Sequence, residues 1–188
     1  MNRPAVLILP GWQGSGPGYW QTRWEALHGY QRVEQHDWRR PLRGDWTARL
    51  EEAVLSTSGP LLLAAHGLGC ILAAWWAAHS RHVARVAGAL LVAPLDVERE
   101  DLRQRIPGWA PVARQRLPFK SILVASGDDP FCGLESASRL AADWGSDVAY
   151  LGARGSLGAD SSLGDWGEGH ALLLTLSTDV PMPRAAGA

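Results

Sequence analysis

Residues 60–78 pass from a short apolar run, Leu61-Leu62-Leu63-Ala64-Ala65, through His66-Gly67-Leu68-Gly69 into a stretch of small and apolar residues reaching Ala78. With Pro60 before it the segment is too short for a buried helix, so Pro60–Ala65 reads as a strand dry on both faces. The segment from Gly69 to Ala78 is apolar all round, which predicts a helix that is itself buried. A strand that must be covered on both sides, followed at once by such a helix, commits the chain to an α/β sandwich around a mostly parallel sheet. Gly69 falls where a larger side chain would hold the helix away from the strand.

The rest of the chain repeats this grammar. Buried strands are expected at Ala5–Leu9, Pro60–Ala65, Val86–Val92, Ser121–Ala125 and Asp147–Leu151, with an edge strand near Gln31–Gln35. Helices are expected at Trp20–His28, at Asp45–Ser56 with Asp45 as N-cap, at Gly69–Ala78, at Ser136–Trp144 and at Glu168–Leu176. The Arg- and Pro-rich stretch Asp96–Phe119 reads as an excursion over one end of the sheet. With 188 residues and no linker or repeat, one domain over residues 1–180 is expected, followed by a frayed tail over 181–188.

Composition removes several function classes. A net charge of −1 gives no field for polyanions, so nucleic acid is an unsuitable partner. The apolar run near the N-terminus stops at Pro10, too soon for a signal core or a membrane span, and a cytoplasmic location is expected. Cys70 and Cys132 have no CxxC spacing and read as core thiols. His28, His36, His79 and His82 lie at edges and polar turns without ligand spacing, so neither a metal nor a cofactor is expected. Ten tryptophans, among them Trp12, Trp20, Trp24, Trp38, Trp46, Trp109, Trp144 and Trp166, predict a rigid aromatic interior or pocket wall.

Three loops sit where chemistry would be placed at the C-terminal edge of such a sheet. Pro10-Gly11-Trp12-Gln13-Gly14-Ser15-Gly16 follows the first strand and can offer backbone N–H groups to a carbonyl oxygen; it lacks both the dinucleotide glycine spacing and a Gly-Lys-Ser/Thr, so it is no phosphate loop. Ser126-Gly127-Asp128-Asp129-Pro130 ends the fourth buried strand with two carboxylates, equally readable as a plain Asp-Pro turn. Gly155-Ser156-Leu157-Gly158 follows the last strand and contains no histidine.

Together these pieces resemble the small α/β-hydrolase family that includes bacterial YdeN and the human retinoblastoma-binding protein nine. The resemblance runs from about Val6 to Leu176. It rests on Leu9-Pro10-Gly11-Trp12-Gln13-Gly14-Ser15-Gly16-Pro17-Gly18 with Trp20, on Gln35-His36-Asp37-Trp38 with Pro41, on Gly69-Cys70, on Ser126 with Asp129-Pro130, and on Ala159-Asp160-Ser161 before Gly164-Asp165-Trp166. It implies serine-dependent ester or amide hydrolysis, with the nucleophile at position 67, the acid at Asp129 and the base at position 156. Here those positions hold Gly67, Asp129 and Ser156. Tyr19 stands where the family has a histidine, and Gly158 where it has an asparagine.

Glycine has no side-chain atom to form an acyl-enzyme, and Ser156 has no imidazole to take its proton. The resemblance therefore implies a catalytically degenerate member. Its retained cleft would comprise the Leu68, Trp12 and Gly11 backbone with Trp38 and Tyr19, and would bind a small carbonyl- or carboxylate-bearing ligand or a protein partner. The alternatives are non-covalent chemistry with Asp128 or Asp129 as base, and an engineered Ser-to-Gly hydrolase variant, which leaves Ser156 unexplained. A pure interaction protein would instead expose an apolar patch near Asp96–Phe119. His66 is expected to point to the face of the strand away from the apex, with Cys70 one turn into the helix and His170 on the last helix.

Overall fold

The computed structural model describes residues 3–177, so the expected tail and the domain limit at residue 180 lie outside the described residues. Six strands, β1 (Ala5–Leu9), β2 (Gln31–Arg32), β3 (Leu61–His66), β4 (Val86–Val92), β5 (Lys120–Ala125) and β6 (Asp147–Tyr150), form one parallel sheet in the order β2-β1-β3-β4-β5-β6. Six helices connect or follow them: α1 (Trp20–His28), α2 (Arg43–Ser56), α3 (Leu68–His79), α4 (Glu100–Arg105), α5 (Leu134–Trp144) and α6 (Gly167–Thr175). The chain order reverses at β1, which pairs with β2 on one side and β3 on the other. Loops leaving β1 and β3 therefore diverge at the C-terminal edge and open a crevice there.

Strand alternation divides the core in two. Leu7, Leu9, Leu61, Leu63 and Ala65 face α2, α3 and α5, together with Trp46, Leu50, Trp76 and Trp144. Val6, Ile8, Leu62 and Ala64 face the other way, onto Trp20 and Trp24 of α1 and Leu173 of α6. Each fully buried side chain of this size contributes about 1.5–3 kcal/mol of burial free energy, so both faces are needed to hold the sheet. At the β3–α3 junction a Cβ on Gly69 would stand 2.3 Å from the Leu9 carbonyl oxygen, which confirms why only glycine brings α3 so close to β1.

Several expected boundaries move. Helix α2 starts two residues early, with Leu42 in the cap position; Asp45 makes no cap bond and instead lies in the first turn, where its charge still suits the helix dipole. The edge strand shrinks to Gln31–Arg32, β6 ends at Tyr150, and the excursion contains α4. This excursion is firmly docked: Leu102, Ile106 and Trp109 are fully buried. No large apolar side chain is exposed between residues 96 and 119, so the expected interaction patch is absent there among the described residues.

The tryptophans act as loop anchors more than as pocket walls. Buried indoles need an acceptor for their N–H, and here that acceptor is repeatedly a loop carbonyl. Trp20 donates to Leu157 (3.1 Å), Trp24 to Asp165 (2.8 Å), Trp109 to Pro41 (2.9 Å) and Trp144 to Ala113 (2.8 Å). The first three tie loops of the C-terminal edge to the core, and the fourth ties the segment that leads into β5.

Candidate functional site

Gly67 ends β3 with φ 56° and ψ −118°, a conformation that L-side chains adopt only under strain. Its N–H donates to the Val92 carbonyl (3.0 Å), and its own carbonyl accepts from Cys70 (3.1 Å) and Leu95 (3.2 Å), so the turn is held on three sides. A Cβ at this apex would meet only the Gly11 Cα, at 3.8 Å. The turn therefore has room for a side chain that it does not carry.

A cavity of about 330 Å³ opens above this apex, at the crevice between the β1 and β3 loops. Gly11, Trp12, Gln13, Gly14, Tyr19, His66, Gly67 and Leu68 line one part, and Ala93, Leu95, Arg105, Asp129, Phe131 and Ser156 the other. The volume is that of a pocket for a small molecule. Neither the Leu68 nor the Trp12 N–H has a hydrogen-bond partner among the described residues. Gln13 and Ala93 on the wall, and Leu157 beside Ser156, hold positive φ values of 70°, 46° and 53°, a concentration of backbone strain typical of functional sites.

The two carboxylates after β5 have separate fates. Asp128 Oδ1 accepts from the Gly155 N–H (2.7 Å) and the Ser126 hydroxyl (2.9 Å), and these bonds, the first foremost, hold its pKa below the usual value. It splices the β5 loop to the β6 loop and is unsuited to be the base that sequence left open to it. Asp129 lines the cavity and accepts from the Phe131 N–H (2.9 Å). Burial raises its pKa to about 6, helped by the neighbouring Asp128 charge and opposed by the Phe131 and Cys132 N–H groups.

Ser156 reaches the same cavity, so the structure brings together Gly67, Asp129 and Ser156 from three separate loops. Gly11, Trp12, Leu68 and Tyr19 join them, whereas Trp38 does not line the cavity. Its ring lies under Gly14, 3.5 Å from where a Cβ there would be, and packs edge-on against Trp46. Trp38 thus backs the loop because the β1 loop passes between it and the cavity. Tyr19 and Gly158 pack against each other: a Cβ on Gly158 would lie 3.2 Å from the Tyr19 ring and 3.6 Å from the Ser156 hydroxyl.

His66 corrects an expectation. The alternation does carry its ring to the α1 side, 6.3 Å from Trp20, but at the end of β3 that side opens into the cavity, which His66 lines. Its Nε2–H donates to the Ser156 carbonyl (2.8 Å), which leaves Nδ1 unprotonated; burial lowers its pKa, so the ring is neutral. Its partner is a carbonyl oxygen, and among the described residues no hydroxyl or thiol is paired with an imidazole in the cavity. Cys70 is fully buried with its Sγ toward the Val92 carbonyl, and burial pushes the Cys132 thiol up to about 12, so neither thiol is a nucleophile at neutral pH. His170 sits on α6, bonded to the Tyr30 hydroxyl and away from the cavity.

Arg105 was not singled out by sequence. Nothing local marks it among the arginines of the excursion, and only the docking of α4 brings it to the cavity. Among the described residues no three His, Cys, Asp or Glu side chains gather as a metal site requires, and no helix is long and apolar enough to cross a membrane.

The family model for serine hydrolases matches residues 6–175. The chain belongs to the serine hydrolase family. No curated protein matches it. Among solved structures it is similar to a YdeN-like hydrolase from Pectobacterium atrosepticum, with 24% identity, a TM-score of 0.81 and 93% of this chain aligned to 91% of that one. The ydeN gene product of B. subtilis is 16% identical with a TM-score of 0.75, over 93% of this chain and 98% of that one. Est1E from Butyrivibrio proteoclasticus, with ferulic acid bound, is 11% identical with a TM-score of 0.70, over 94% and 91%. These likenesses establish the α/β-hydrolase fold.

Proposed function

We propose that this serine hydrolase family member is catalytically degenerate and serves as a binding protein, holding a small carbonyl- or carboxylate-bearing ligand in the cavity above Gly67. A protein partner at the same cleft is the alternative occupant. The observation that carries the proposal is the apex itself: a strained turn with space for a side chain, facing an open cavity, occupied by glycine. The N–H groups of Leu68 and Trp12, both on the cavity wall and without a protein acceptor among the described residues, support an oxygen-bearing ligand, because a carbonyl or carboxylate oxygen can accept from such donors. Est1E, on the same fold, holds ferulic acid, an aromatic carboxylic acid, which supports the ligand class. The buried, unpaired cysteines support a cytoplasmic location.

Incubation with short-chain p-nitrophenyl esters and a fluorophosphonate probe tests this reading. Turnover should match a heat-denatured control and no residue near position 67 should be labelled; labelling there, or turnover well above the control, overturns it.

A second reading is favoured by one observation, the raised pKa of Asp129 at about 6 inside the cavity. A carboxylate poised near neutrality can serve as general base for hydrolysis by water, elimination or cyclisation, without a covalent intermediate and with the free N–H groups receiving the oxyanion. Such turnover would be probe-silent and lost in Asp129→Asn; full rate in that variant refutes the mechanism.

A further inference from the structure

Helix α4 presents a cation to the cavity from an unusually fixed position. Leu102 and Ile106, four residues apart, are both buried in the core, and the Trp109 indole holds the following loop to the Pro41 carbonyl at 2.9 Å. Arg105, next to Ile106, therefore has its backbone placed by the fold. Its guanidinium lies 4.6 Å from the centre of the Trp12 ring. Trp12 is pinned in turn by its Nε1–H to the Arg39 carbonyl, at 3.0 Å.

Arg105 is the only lysine or arginine lining the cavity, and it makes no ion pair among the described residues. Arg99, on the same excursion, is bound by Asp101 at 2.7 Å. Arg105 is held against an aromatic face with its N–H fork unclaimed. A guanidinium stays charged at any physiological pH, and its fork matches the two oxygens of a carboxylate. Stacking on a rigid indole lowers the entropy lost when a ligand anion is gripped.

From this we infer that Arg105 is the specificity-determining residue of the cavity, selecting ligands that carry a carboxylate over neutral carbonyl compounds of the same shape. The inference rests on the reading that the cavity binds a small carbonyl- or carboxylate-bearing ligand, and narrows it to the anionic class. Asp129 sets the polarity: its carboxylate repels an anion from its own part of the wall and so favours a pose with the ligand carboxylate at Arg105. Phe131, with the edge of Leu95 beside it, offers apolar surface to the ligand body. Arg105 is exposed, so solvent screening keeps the selectivity modest.

Calorimetric titration near neutral pH with phenylacetate, phenylacetamide and methyl phenylacetate tests the inference. The native chain should bind phenylacetate about tenfold more tightly than either neutral compound, a difference of about 1.4 kcal/mol. Arg105→Gln should reduce that preference to within about twofold while leaving the amide's affinity in place. Arg103→Gln, which removes the same charge from an exposed residue that does not line the cavity, should retain it. Equal affinity for acid and amide in the native chain, or a preference that survives Arg105→Gln, overturns the role of Arg105 and leaves the cleft-binding reading standing. If none of the three compounds binds the folded native chain at about 10 mM, the cleft-binding reading falls and this inference with it.

Discussion

Replacing Gly67 by Ser and Ser156 by His together should convert this chain into a reactive serine hydrolase. At Gly67 the backbone angles impose strain on any L-residue of about 1–3 kcal/mol. Beyond that strain the position is open, since the nearest atom to an added Cβ, apart from its chain neighbours, is the Gly11 Cα at 3.8 Å. The variant should therefore remain folded, with a melting temperature lower by roughly 2–12 °C. The new serine would stand at the helix N-terminus beside the free Leu68 N–H, and the new imidazole in the same cavity as Asp129. His66 can keep its bond to residue 156, because it uses the main-chain carbonyl.

Loss of one triad member elsewhere is worth about a million-fold in turnover and removal of the others adds little, so the gain should be strongly cooperative. Neither single variant should react appreciably with a fluorophosphonate, whereas the double variant should be labelled at residue 67 at least about a thousand-fold faster. Intact-protein mass spectrometry over time, followed by peptide mapping, measures this directly. Labelling of Gly67→Ser alone at the rate of the double variant would mean that another group, His66 or Asp129, already acts as base, and the reading that the base is lost at Ser156 would be wrong. A folded double variant that stays unreactive would equally show that the cavity no longer holds hydrolase geometry.

Two further outcomes follow from the same geometry. Asp129 has a folded pKa of about 6 against an ordinary 3.8, so its protonated form favours folding below pH 3.8 and that contribution is lost as pH rises through about 6. Asp129→Asn, which keeps an oxygen for the Phe131 N–H, should stabilise the protein at neutral pH by about 1–2 kcal/mol after allowance for partial exposure. Urea unfolding across this window should show a flatter pH profile in the variant; an unchanged slope refutes it. The lowered Asp128 and Glu98 act in the opposite sense and at lower pH, where acid removes what they contribute. Separately, Gly158→Asn should lose about 1–2 kcal/mol by pressing on the Tyr19 ring, and Tyr19→His should recover at least half of it. Additive effects in that double-mutant cycle would show that the two positions do not share space.

Much of the fold was legible locally. The spans of β1, β4 and α1 coincide with their apolar runs and helical spacing, because period and bounding Gly or Pro residues act within one element. The need for glycine at position 69 was also readable, since strand, turn and helix are contiguous there. Asp45 misleads because a residue type favoured at caps is equally at home in a first turn, and the chain leaving Pro41 is already helical at Arg43. Trp38 misled because an aromatic near a loop can back it as easily as line a cavity, and local sequence does not say which side the loop takes.

What the amino-acid order determined by itself was the parallel α/β framework, the sharp turn at Gly67, and the absence of a side-chain oxygen at 67 and an imidazole at 156. These follow from residue type and short-range spacing. Which distant groups meet is set by the packing of the whole chain: that Asp129 rather than Asp128 faces the cavity, that His66 donates to the Ser156 carbonyl, that Tyr19 fills the space beside Gly158, and that Arg105 arrives on α4. Those meetings depend on strand order and on loops anchored by buried indoles across many residues. No local periodicity encodes them, because the contacts exist only once the sheet has closed.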